Sequence, residues 1–107
     1  MPYIILKHRT RLDPHIDALA NAIIAIALEE KGGEIFAGLL NYACTRLAIK
    51  TAFDLFGKIR YWIIASLSGL FANISQEFYR RVAGPYEDKQ SEKSGDVKEF
   101  SDFEKQL

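Results

Sequence analysis

Ile59, Ile63, Leu67, Leu70, Ile74, Phe78 and Val82 recur at intervals of three and four residues. That interval is the repeat of one helix face, whereas a strand would alternate every second residue. It predicts a long helix from about Lys58 to Ala83. A parallel line runs through Trp62, Ser66, Gly69, Asn73, Glu77 and Arg81. Its small central residues would let a neighbouring helix approach, and its polar C-terminal half would meet that neighbour. Helices gain most of their stability from packing an apolar face, so this helix demands helical partners. The fold class expected is therefore all-α.

The partners lie upstream. Asp13 reads as an N-cap and Pro14 as a first helical residue, with Asp17 near the positive end of the dipole. Ile16, Leu19, Ala20, Ile23 and Ala27 form its stripe, and Ile24 and Leu28 make its second half apolar nearly all round. This first helix should end near Glu30, before Gly32 and Gly33. A second should begin between Glu34 and Leu39 and close at Gly57. Residues 1–12 read as an extended arm. At the other end, Gly84 and Pro85 read as a helix stop, with Gly84 in a left-handed closing conformation. Beyond them lies an acidic tail, expected to be flexible from about Ser91, in which Ser101 and Glu104 could cap one short helix. The expected organisation is an arm (1–12), a bundle of three main helices (13–85) and a tail (86–107).

The chain has 107 residues, which suits one domain. Its net charge is zero, which argues against a protein built to coat nucleic acid or an anionic membrane. The body is mildly basic and the tail acidic by the same margin. A single cysteine, Cys44, excludes an internal disulfide framework and zinc-finger spacing, and is expected to be a buried, inert thiol. Polar residues interrupt the apolar runs Ala18 to Leu28 and Tyr61 to Ile74, so neither reaches the roughly 20 apolar residues of a membrane span. No secretion signal is visible, and a cytoplasmic protein is expected.

Several stretches resemble one family of short, functionally uncharacterised proteins from bacteria, archaea and their phages. They are Leu12-Asp13-Pro14-His15-Ile16-Asp17, Phe36-Ala37-Gly38-Leu39-Leu40-Asn41-Tyr42 with Thr45-Arg46-Leu47, and Glu77-Phe78-Tyr79-Arg80-Arg81-Val82 with Pro85-Tyr86-Glu87-Asp88. Ile64, Gly69 and Gly95-Asp96-Val97 continue the likeness. The resemblance implies a phage-associated setting but no activity. Ala65, Ser66 and Ala72 stand where it implies polar and acidic residues along the third helix, which argues against a carboxylate site there.

The candidate site gathers Asn41, Thr45, Arg46, Glu77, Arg80, Arg81, Tyr86 and Asp88. Glu77 and Arg81 are four apart and can pair along a helix, and Arg46 could compete for Glu77 if the second and third helices run antiparallel. A guanidinium matches a carboxylate or a phosphate through two parallel hydrogen bonds. The cluster thus reads either as a polar network that fixes helix register or as an anion pocket, and the first reading carries more weight. Asp13, His15 and Asp17 do not share a helix face, so capping explains them better than metal binding. No catalytic residue, metal site or cofactor is expected.

The function expected is a small non-enzymatic interaction or regulatory protein that self-associates through apolar helix faces and meets an unidentified protein partner. One alternative is a small nucleotide-processing enzyme resembling the all-α pyrophosphohydrolases, which need several carboxylates on facing helices to hold magnesium. Another is a nucleic-acid accessory protein using the basic residues Lys7, His8, Arg9 and Arg11.

Overall fold

The computed structural model describes residues 2–30 and 33–107. Among them the regular structure is helical, with no strand. The chain forms α1 (Leu6–Glu29), α2 (Gly33–Phe56), α3 (Tyr61–Phe78), a π-helical turn (Tyr79–Ala83), α4 (Gly84–Ser94) and α5 (Lys98–Glu104). The all-α class holds, with more helices than the three expected. Two compact units divide within α3, one spanning Met1–Ser68 and the other Gly69–Leu107.

In the first unit, α1 and α2 pack against each other. Helix α1 begins at Leu6, well before Asp13, and Pro14 lies inside it. Most of the expected extended arm is thus helical. Leu6, Lys7, Arg9, Arg11 and Leu12 are all good helix formers, and their summed propensity carries the helix through the proline. Pro14 still removes one hydrogen bond, since its nitrogen cannot donate to the Thr10 carbonyl. The first turn is held from before the helix: Arg9 Nε donates to the Ile4 carbonyl at 2.7 Å. At the far end Glu30 N–H donates to the Ile26 carbonyl, so α1 stops where expected. The proposed role of Gly32 lies outside the described residues.

Gly57 ends α2 as expected. Its N–H donates to the Phe53 carbonyl at 2.7 Å, and its φ of 73° lies in the left-handed region that a side chain disfavours. The turn that follows brings Trp62 edge-on to Phe56, with ring centroids 5.0 Å apart. Such aromatic contact adds modestly to area burial. Nearby lie the two buried side chains described, Ala52 on α2 and Ile63 on α3.

In the second unit, the expected stop at Gly84–Pro85 is a continuation. Gly84 has φ −59° and ψ −57°, which is right-handed helix. A proline inside an α-helix clashes with the carbonyl four residues back and cannot donate to it. Here the helix widens instead: Gly84 N–H donates to the Tyr79 carbonyl, five residues back. Pro85 then falls in the first turn of α4, where a missing N–H costs little. Glycine suits position 84, because a Cβ there would lie 3.2 Å from the Tyr79 carbonyl oxygen. It would also crowd the ring of the following proline. Part of the expected tail is therefore α4. Gly95, at φ 92°, separates it from α5. Helix α5 begins at Lys98 rather than Ser101, and Asp96 just before it braces the start: Oδ1 accepts Val97 N–H at 2.7 Å, and Oδ2 accepts the Ser101 hydroxyl at 2.8 Å.

Candidate functional site

A cavity of about 430 Å³ lies between α1 and α2. Leu19, Ile23 and Ile26 line one wall, and Leu39, Ala43 and Leu47 the other. This is what the sequence stripes of both helices dictate, since residues three and four apart share a face. The apolar lining is broken by two cations of α2, Arg46 and Lys50. Lys50 Nζ pairs with Asp54 Oδ2 at 2.5 Å, one turn further along α2. A second, shallower hollow lies along α2 beside Ala37, Gly38, Asn41 and Thr45. Within it the Thr45 hydroxyl donates to Asn41 Oδ1 at 3.4 Å, a long hydrogen bond. Asn41 and Thr45 thus meet as expected, and Arg46 turns toward the groove. Cys44, expected to be buried, is exposed. It follows Ala43 and is therefore turned about 100° away from the groove wall.

The remaining candidates belong to the second unit. Glu77 closes α3, Arg80 and Arg81 lie in the π-turn, and Tyr86 and Asp88 lie in α4. Glu77 pairs with Arg80, through Oε1 to Nη2 at 2.5 Å, a partner that the sequence reading did not name. The pairing has a helical cause, since residues three apart lie on neighbouring turns of one face. The Glu77 side chain is 23% exposed and that of Arg80 65%. Tyr86 and Asp88 are exposed.

Sequence reasoning missed the contact that braces the turn. The Tyr79 hydroxyl donates to Glu87 Oε2 at 2.6 Å. Eight residues of straight α-helix would separate the two by about 12 Å along the axis, so neither i,i+3 nor i,i+4 spacing signals it. The Glu87 hydrogen bond, followed by the negative charge of Glu87, pushes the Tyr79 phenol above its ordinary pKa of 10.0. Ionising that phenol would break the bond and set two negative charges side by side. Among the described residues, no three His, Cys, Asp or Glu side chains come together as a metal would require.

A family model described as a domain of unknown function, DUF6899, matches residues 1–97. The chain belongs to this family. The match takes in α1 to α4 and stops at Val97, so α5 lies beyond it. The groove, the π-turn and the Tyr79–Glu87 contact all fall within the matched residues. No curated protein and no solved structure matches the chain.

Proposed function

We propose that this member of the family is a non-enzymatic helical interaction protein that assembles with further copies of itself. One observation supports the reading: large apolar side chains stand exposed along every long helix. Leu47 on α2 is 59% exposed and Trp62 on α3 52%, while Ile16, Ile24 and Ile74 are exposed to a similar degree. Buried apolar area is the main term that offsets the entropy of ordering a chain, about 1–2 kcal/mol per residue for the backbone alone. Among the described residues the buried ones, Ala52 and Ile63, make too small a core to supply it, which supports burial between copies. Contiguous apolar surface on a helical protein marks an interaction face. Two-helix hairpins bury such faces when they pair into four-helix bundles.

In this reading the polar cluster serves structure. Glu77 and Arg80 tie the end of α3 to the π-turn, and Tyr79 and Glu87 tie the turn to α4. The exposed thiol of Cys44 fits the reducing cytoplasm. No helix among the described residues is long and apolar enough to cross a membrane. Coupling of folding to assembly makes the melting temperature depend on protein concentration. The reading therefore predicts a melting temperature that climbs with concentration over the micromolar range. A constant value across that range overturns it.

A further inference from the structure

We propose that the groove between α1 and α2 receives helix α5 of a second copy of this chain. The inference rests on the self-association reading and adds the occupant of the interface.

Helix α5 has the features that such a groove recognises. Phe100 and Phe103 are three residues apart on one face, and both are largely exposed, at 64% and 63%. Amphipathic helices dock into apolar grooves through anchors at this spacing. The cavity, at about 430 Å³, is within the size range of sites that enclose small aromatic groups. Its floor is apolar on both walls, with Ile23 from α1 and Leu39 from α2.

Charge selects α5 among the segments of the chain. The charged groups of the groove are cationic, Arg46 and Lys50, and Lys50 is already paired with Asp54. Helix α5 carries Glu99, Asp102 and Glu104 against a single lysine, Lys98. Lys98 pairs with Asp102 at 3.3 Å, as Lys50 of the groove pairs with Asp54, which leaves Glu99 and Glu104 to meet Arg46. The other helices lack this combination. Helix α4 is charged but has no aliphatic or phenylalanine anchor, and α3 has no carboxylate before Glu77. Helix α5 is only seven residues long and has no buried residue, yet Asp96, just before it, ties its start together through Val97 N–H and the Ser101 hydroxyl. An isolated helix of that length is unstable in water, so a preformed one suits a docking element.

The test is sedimentation of the full-length chain and its variants, with helicity checked by circular dichroism. Phe100→Ser/Phe103→Ser is expected to weaken association at least tenfold while leaving the helical spectrum intact. Arg46→Glu is expected to weaken it also, and Glu99→Lys/Glu104→Lys in the same chain to restore it. If Arg46→Glu unfolds the hairpin, the phenylalanine variant still decides. An assembled wild type whose association is unchanged by Phe100→Ser/Phe103→Ser overturns this inference and leaves the self-association reading standing. A monomeric wild type overturns both.

Discussion

Tyr79 and Glu87 join hands across the π-turn, phenol to carboxylate at 2.6 Å, on either side of Pro85. The contact exists because the helix widens there. Gly84 donates to the Tyr79 carbonyl five residues back, and Tyr79 therefore anchors the turn through both its backbone and its side chain.

The first prediction concerns that phenol. Its pKa is raised because the hydrogen bond to Glu87 and the charge of Glu87 both favour the protonated form. A group whose folded pKa lies above its unfolded one stabilises the fold fully below the unfolded value. That contribution is lost as pH rises from about 10 through the folded pKa. Ultraviolet titration should reveal a late-ionising tyrosine that Tyr79→Phe removes. Glu87→Gln should move it to lower pH, and an unchanged titration would refute the contact.

Glu77→Ala should destabilise more than Lys50→Ala. Lys50 and Asp54 have side chains 63% and 61% exposed, and such pairs contribute about 0–1 kcal/mol. Glu77 is much better covered, at 23%, while its partner Arg80 remains mostly in water. Its removal should cost about 1–2 kcal/mol, below the 3–5 of a fully buried pair. Urea unfolding of the variants at one fixed protein concentration measures the difference, and equal midpoints would contradict the assignment.

Glycine substitutions should behave differently at two helical positions. Nothing lies within 4 Å of a Cβ added at Gly38, so Gly38→Ala should gain about 0.5–1 kcal/mol from reduced unfolded-state entropy. At Gly84 the same Cβ meets the Tyr79 carbonyl oxygen at 3.2 Å and crowds Pro85. Gly84→Ala should therefore show no gain and should lower the melting temperature. A rise at both sites would mean that the π-turn tolerates a side chain.

If the polar cluster is structural, inorganic phosphate and nucleotides should leave the melting temperature of the wild type unchanged beyond the general effect of salt. A specific rise that Arg81→Ala abolishes would instead assign those residues to an anion site.

Much of the helical architecture was legible in the residues, and the exceptions share a cause. The stripe from Ile16 to Ala27 and the left-handed Gly57 are signals that context does not override. Asp13–Pro14 and Gly84–Pro85 carry equally strong local signals, a start and a stop, yet both lie within helical runs. At Pro14 good helix formers extend the helix on the N-terminal side. At Pro85 a five-residue hydrogen-bond step absorbs the ring, and no side-chain pattern announces that step. The candidate site was legible at the level of helix faces. Asn41 and Thr45 meet because they are one turn apart, and Glu77 meets Arg80 because they are three apart, a pair that the sequence reading did not name. Tyr79 and Glu87 went unseen because their spacing becomes a contact only there.

The central claim is that these helices complete their core with another copy of the chain. Sedimentation equilibrium of the full-length wild type at micromolar concentration tests it most directly. The account predicts a mass of at least twice the chain's 12.1 kDa, falling toward that value on dilution as the helical signal falls with it. A single species at the monomer mass, with its helicity unchanged by dilution, would contradict it.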